Sequence, residues 1–306
     1  MLLINDHEKI ITVYEETASY LQDNPNLLRE LGIHVFSFHE LIDLIPHYND
    51  SHESGNFFPF SEAYAELENS TELSKQGFYR HALFSLRNTL ELVVIGLYFD
   101  REDQARKEIR SWFISNNSTP HFKQTLDKLL QLPNFTIFST KRPIRKEARQ
   151  LYEKLSDFVH IKGYKYSSTG QSKSNFNTFG EQAFLRNIRL LKQIVHCCIK
   201  LVLLKYPIGV QELPLWEKFG FDIPVGGFLQ SPDDVLRVLP SSDVRLLKEI
   251  SNNDSYVQEI SEAIHNMPDL TEEEIDLQRQ RWRQMYNVTS CTPSPMQILA
   301  DYPPMP

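Results

Sequence analysis

Cysteine is scarce in this sequence, with three in 306 residues. Cys197 and Cys198 are neighbours on a stretch with helical periodicity, where adjacent side chains point about 100° apart, so they make a poor disulfide framework. Cys291 stands alone, and no CxxC or similar spacing supports a structural zinc site. Three reduced thiols are the expectation, the vicinal pair packing as small hydrophobes. Long apolar runs are missing too. The longest, Leu92 to Phe99, is far too short to cross a bilayer, and MLLINDHEKIITVYEE at the N-terminus has neither a basic region ahead of an apolar one nor a small-residue cleavage site. No membrane contact is expected, and the cytoplasm is the expected location. Internal repeats are absent as well: Gly77, Tyr79 and Ala82 fit the first helix of a tetratricopeptide repeat, but no second copy follows at a fixed period.

Positive charge is sparse at both ends. Residues 1–72 carry a balance of −12, residues 73–140 of +3, residues 141–205 of +10 and residues 207–306 of −9, which together give the net −8. Such segregation has two readings. Either the acidic flanks neutralise the basic centre inside one folded body, or the centre meets a polyanion such as nucleic acid while the flanks discourage indiscriminate binding.

What is abundant is helical periodicity, and the expected fold class is all-α. Residues 6–22 carry Ile10, Val13, Tyr14, Thr17 and Leu21 at helical spacing. A short helix from Asn26 to Leu31 is expected to end at Gly32, and Ser37 with Glu40 reads as a capping box for the next. Residues 61–100 hold the longest signal, with a break expected near Asn69 or Gly77. Its stripe of Tyr79, Leu83, Leu86, Leu90, Val93, Val94 and Leu97 marks the central helix. On its margin, Arg87 and Glu91 read more readily as a surface pair than as groups orienting a neighbouring helix. Amphipathic helices follow at 102–116 and 120–132, then a short connection at 133–138, and a long helix at 181–206. Short helices at 232–239, 242–252 and 255–266 lead to a last one, capped by Thr271 and Glu274, that carries Arg279, Trp282 and Arg283 and could dock a protein partner.

The stretch from Ser139 to Gly163, STKRPIRKEARQLYEKLSDFVHIKG, brings a helix and the charge excess together. Pro143 suits the first helical position and Gly163 the left-handed residue beyond the end. Leu151, Leu155, Phe158 and Val159 fall on the core side; Arg149, Glu153, Ser156 and His160 fall opposite, on a face that is either solvated or meets a partner. In the polar stretch that follows, Tyr164 and Tyr166 beside Lys162 and Lys165 could stack bases and hold phosphates, or form a mobile loop. His47, Asp50, His52 and Glu53 sit together in a loop, but their spacing matches no metal motif, and neither metal nor cofactor is expected.

The pattern of YRHALFSLRNTLELVVIGLYF (79–99) followed by LYEKLSDFVHIKG (151–163) resembles a HEPN domain, a four- to five-helix bundle found in RNase toxins and phage-defence proteins. The resemblance covers about residues 61–206. It implies an N-terminal helical extension (1–60), a HEPN-like bundle (61–206), a linker (207–230), a C-terminal helical region (231–287) and a tail (288–306). Catalytic members carry an arginine four to six residues ahead of a histidine and cleave RNA without metal, the histidine moving protons while the arginine stabilises phosphate charge. By that likeness His160 takes the histidine's place, beside Ser156, and the arginine's position falls on Lys154, with Arg149 the nearest arginine upstream. Lys162, Lys165, Tyr164, Tyr166, Arg145 and Lys146 are the implied nucleic-acid contacts. A lysine keeps the charge without the two-pronged geometry. The implied function is therefore a homodimeric, non-catalytic module that senses RNA, a nucleotide or a partner in a prokaryotic defence or toxin system; the alternative is an endoribonuclease using His160.

Overall fold

The computed structural model describes residues 7–46, 57–100, 103–172, 178–220 and 226–285. Among these residues the chain is all-α: 15 α-helices, two short 3-10 helices and no strand. The helices α1 (His7–Asp23) and α2 (Pro25–Ile42) form an N-terminal layer, and α3 (Phe58–Lys75) and α4 (Tyr79–Phe99) form a tight hairpin. The break between α3 and α4 falls at Gly77, whose φ of 80° an L-side chain rarely adopts. Then come α5 (Asp103–Phe113), α6 (Phe122–Leu129), α7 (Pro133–Lys141) and α8 (Ile144–Val159), the last being the basic helix. The short α9 (Ser168–Ser172) leads to the long α10 (Glu181–Lys205), and α11 (Leu215–Phe219), α12 (Pro232–Leu236), α13 (Ser241–Asn252), α14 (Ser255–His265) and α15 (Glu272–Met285) complete the described chain.

α4 is the axis of the molecule because it is apolar on nearly every side. Leu83, Leu86, Leu90, Val93, Val94 and Leu97 are fully buried, each such side chain contributing about 1.5–3 kcal/mol of transfer free energy. By length and composition α4 could cross a membrane, but 72% of its apolar window lies inside the fold. Packed around it are α3, α10, α8, α6 and α5. Gly96 lets α3 approach closely, since a Cβ there would stand 2.6 Å from the Phe60 ring. One cluster of buried side chains runs from Leu21 through α4 and α10 to Val257, so the N-terminal layer and the C-terminal helices share a core with the centre. The stretch read as a linker begins with a 3-10 helix, Pro207–Val210, whose four residues are all buried.

Three boundaries differ from the sequence expectation. α2 is one helix rather than two: Gly32 lies inside it, and Ser37 is buried with its hydroxyl donating to the Asp234 carbonyl at 2.6 Å instead of capping. A helical glycine costs only about 1 kcal/mol, which the packing of Leu31, His34, Phe38 and Leu41 outweighs. Residues 133–141, expected as a connection, form α7, with Pro133 at its start and Phe135 and Phe138 completely buried. Third, α8 is closed by Ile161, not Gly163. The Lys162 N–H donates to the Asp157 carbonyl at 3.1 Å and the Ile161 N–H to that of Phe158 at 3.5 Å, a Schellman closure with isoleucine in the left-handed position at φ 46°. Gly163 follows at φ 95° and ψ 178°, a region open only to glycine.

A β-branched residue in left-handed backbone is strained by about 1–2 kcal/mol, and Ile161, 49% exposed, gains little packing in return. Ile161→Gly should therefore stabilise the protein by about 1 kcal/mol, read as a raised urea midpoint at unchanged slope.

Candidate functional site

α8 is held at both ends by side chains from elsewhere. In its first turn, Glu147 receives the buried Lys200 ammonium of α10 on both carboxylate oxygens, at 2.7 and 2.6 Å. At its other end Arg80 of α4 donates to the carbonyls of Phe158 and Val159, each at 2.9 Å, satisfying acceptors that a helix terminus leaves open and placing a cation at the negative end of the dipole. Between these ends Arg87 donates to Ser156 Oγ at 3.2 Å, to the Tyr152 hydroxyl at 2.5 Å and to Glu91 at 3.1 Å, while the Tyr152 hydroxyl donates to Glu91 at 3.1 Å. Arg87 and Glu91 are thus not the surface pair expected; they orient the middle of α8. The Tyr152 ring stacks on Phe122 of α6, with centroids 4.1 Å apart and planes 7° from parallel.

On this scaffold the outer side of α8 carries two open grooves. The first, of about 510 Å³, is lined by His160, Ser156, Lys154 and Lys162 from α8 and its end, and by His121 and Lys123 from α6 and the residue before it; Tyr152, Glu153 and Asp157 complete it. The second, of about 680 Å³, lies between α8 and α10 and includes Lys146, Gln150, Lys154 and Gln193. Lys154 borders both.

Of the residues singled out from the sequence, the structure brings His160, Lys154, Ser156 and Lys162 to one groove. His160 is exposed at the C-cap of α8, just ahead of the Ile161 closure, its N–H donating to the Ser156 carbonyl at 3.0 Å. The Ser156 hydroxyl donates to the Tyr152 carbonyl at 2.8 Å, so its proton is committed. Lys162 lies 3.2 Å from the half-buried Asp157 and Lys123 lies 2.6 Å from the exposed Glu153, each lysine itself open to solvent. Arg149 is elsewhere. Its guanidinium holds Asp127 of α6 at 2.5 Å, with Arg145 on the same carboxylate at 3.6 Å, and it lines neither groove. Lys146 is exposed in the second groove. Tyr164 is 71% exposed, whereas Tyr166 is half-buried edge-on against Phe158 at 5.0 Å, with the Lys165 ammonium 5.3 Å above its ring. Tyr166 is thus part of the packing, and Tyr164 is free to stack.

No protein-family model matches this chain, and neither does any curated protein or solved structure.

The charge segregation is now resolved in geometry. Acidic flanks reach the basic centre through Glu30 with Lys192, Asp243 with Arg142 and Lys200, and Glu249 with Lys141. These three flank carboxylates offset part of the central excess of +10 within the fold. Lys146 and Lys154 are different: both are exposed, and neither has an acidic partner within ion-pairing distance among the described residues.

Sequence reasoning missed Arg80, Arg87's role, His121 and Lys123. A signal existed for the arginines: they stand seven residues apart on one edge of an otherwise apolar helix, where each needs an acceptor from a neighbour. For His121 none existed, because only the stacking of α6 on α8 brings it to the groove. The loop with His47, Asp50, His52 and Glu53 lies outside the described residues, as does Cys291. Among the described residues no group of three or more His, Cys, Asp or Glu could hold a metal ion. Cys197 and Cys198 are buried free thiols, and burial raises both above the usual thiol range. In the C-terminal helices, the Arg279 guanidinium stacks 4.7 Å over Trp216 of the same chain.

Proposed function

We propose that this chain is an RNA-binding helical module of HEPN-like kind, acting as a homodimer in a prokaryotic defence or toxin system, with the outer side of α8 as its contact surface. One observation carries the reading. Lys154, exposed and without an acidic partner, stands where two grooves meet, with Lys146 in one and Lys123, Lys162 and His160 in the other. On α8, Lys146 and Lys154 are eight residues apart, roughly 12 Å along the axis, so cations recur along an extended track rather than ringing one pocket. Open, shallow, lysine-lined surface suits a flexible polyanion whose backbone is held without sequence reading. An exposed aromatic, Tyr164, lies five residues beyond the helix end, where a base could stack.

Fluorescence anisotropy with a labelled single-stranded RNA tests this. Affinity should fall linearly on a log–log salt plot, and Lys154→Ala should weaken binding for all sequences alike while lowering the slope by about 0.7, one counterion's share for a single strand. A slope that the substitution leaves unchanged counts against the track. Sedimentation of the free protein checks the dimer: a monomer at micromolar concentration removes that part of the reading.

A further inference from the structure

Resting on the RNA reading, we infer that the second groove is a two-walled clamp for one RNA strand: Arg189 of α10 joins Lys146 and Lys154 on phosphates, while Gln150 and Gln193 hold ribose 2′-hydroxyls. The two walls run antiparallel. Late α10 meets early α8 where Lys200 lies 2.6 Å from Glu147, and early α10 meets late α8 where the Arg186 guanidinium stands 5.8 Å from the Phe158 ring. At 100° per residue Arg189, Gln193 and Lys200 fall within about 40° of one another, so they share the stripe of α10 that meets α8. Gln193, seven residues before Lys200, is therefore level with Lys154, seven residues after Glu147. Arg189 stands one turn further, about 6 Å along the axis. It is exposed and has no acidic partner among the described residues, so it continues from the opposite wall the row of open cations that α8 begins.

Charge favours this groove over the first. There, Glu153 and Asp157 offset Lys123 and Lys162, which leaves Lys154 as the uncompensated cation. Among the described residues the second groove has one lining carboxylate, Glu147, and both its oxygens receive the Lys200 ammonium, so a phosphate meets Lys146 and Lys154 without an opposing charge. The uncharged lining supplies selectivity. Lysine and arginine only donate, whereas a 2′-hydroxyl both donates and accepts, and an amide answers both needs. Gln150 and Gln193 are exposed in the groove, with no side-chain hydrogen bond among the described residues. Gln150 sits midway between Lys146 and Lys154 at four-residue spacing on one side of α8, so an amide alternates with cations as ribose alternates with phosphate along a strand. Contacts of this kind read the sugar and not the sequence.

The test is fluorescence anisotropy of the full chain, over a salt series, with a labelled single-stranded RNA and with the same oligomer built from 2′-deoxyriboses. Wild type should bind the RNA about tenfold more tightly than the deoxy oligomer, the share of two hydrogen bonds. Arg189→Ala should weaken binding of both and lower the log–log salt slope by about 0.7, with melting temperature unchanged. The double variant Gln150→Met with Gln193→Met should bring RNA down to the deoxy level and leave the slope as it was. Arg281→Ala, which removes an exposed arginine of α15 that lines neither groove, should alter neither quantity. Equal affinity of wild type for the two oligomers overturns the clamp and leaves the track along α8 standing. So does a slope that Arg189→Ala leaves unaltered, or that Arg281→Ala lowers as much. Absence of salt-dependent binding to either oligomer overturns both readings.

Discussion

Lys200→Met is expected to destabilise the protein by about 3 kcal/mol or more. Lys200 is 5% exposed, and its ammonium lies against Glu147 at 2.6 Å and Asp243 at 3.6 Å. Asp243, 7% exposed, has a second cation, Arg142, at 2.8 Å. Removing the lysine charge leaves Glu147 without its partner and Asp243 with half of its compensation, in surroundings that solvate neither fully. Unpairing a buried ion in this way typically costs 3–5 kcal/mol. Glu147 is a third exposed and can turn towards water, which holds the expected loss near the lower figure. The double variant Lys200→Met with Glu147→Gln should regain part of it, since the neutral amide tolerates an apolar neighbour better than a carboxylate does. For contrast, Lys123→Ala at the exposed pair with Glu153 should change stability by less than about 1 kcal/mol. Urea unfolding of the four proteins gives all these values, and a Lys200→Met loss under 1 kcal/mol rules out the node as an anchor. The anchor matters for the site because Glu147 lies in the first turn of α8. With Lys200 at one end and Arg80 at the other, the helix that presents Lys154 and His160 is fixed in position before any ligand arrives.

Helix existence was legible wherever local chemistry decided it. Thr271 and Glu274 make their expected reciprocal cap, the Thr271 N–H donating to Glu274 at 2.8 Å and the Glu274 N–H to the Thr271 hydroxyl at 3.3 Å. The apolar stripe of α4 followed from periodicity, and of the two breaks expected, near Asn69 or Gly77, the chain takes the one at the residue tolerant of positive φ. Where tertiary packing decided, local signals misled. Gly32 read as a stop and residues 133–138 as a connection, but buried neighbours carry a helix through Gly32, and Pro133 starts one. At Ile161 an isoleucine adopts the left-handed position that the sequence assigned to the glycine two residues later. The site divides in the same way. His160, Ser156, Lys154 and Lys162 were legible together because they lie within one helix and its closure, while His121 and Lys123 come from α6 and join them only through packing. Arg149 misled for the converse reason: its partner Asp127 is 22 residues away in sequence, and nothing local announces the ion pair.

Acid should loosen the N-terminal layer from the bundle. His34 of α2 and His196 of α10 meet with their Nε2 atoms 3.0 Å apart and rings stacked at 5.1 Å. His34 Nδ1 lies 2.7 Å from the Glu30 carbonyl, which cannot donate, so Nδ1 carries the proton. In the neutral pair His34 Nε2 then accepts from His196, and one proton occupies the space between the rings. Protonating both would set two N–H groups against each other. Burial, with His34, Lys200 and Lys192 nearby, pushes His196 down to about 4 against a smaller pull from Asp243, and burial lowers His34 as well. The sign follows directly. Both groups are depressed in the fold, so the unfolded chain binds more protons between about pH 6.5 and pH 4, and their contribution, complete above pH 6.5, is lost as pH falls to 4. For His196 alone the loss is at most about 3 kcal/mol at about 1.4 kcal/mol per pH unit of depression, and solvent screening at this partly buried ring lowers it. Asp43 works the other way: burial raises it to about 6, so its protonation favours the fold over part of the same range. The net pH profile therefore mixes opposing slopes, and the informative quantity is the difference between wild type and His196→Gln, whose amide can still donate to His34. That difference should shift by about 2–3 kcal/mol in the variant's favour from pH 7 to pH 4.5, with hydrogen exchange in α1 and α2 accelerating first in the wild type. A difference that stays constant with pH shows that the two imidazoles do not hold the layer in place.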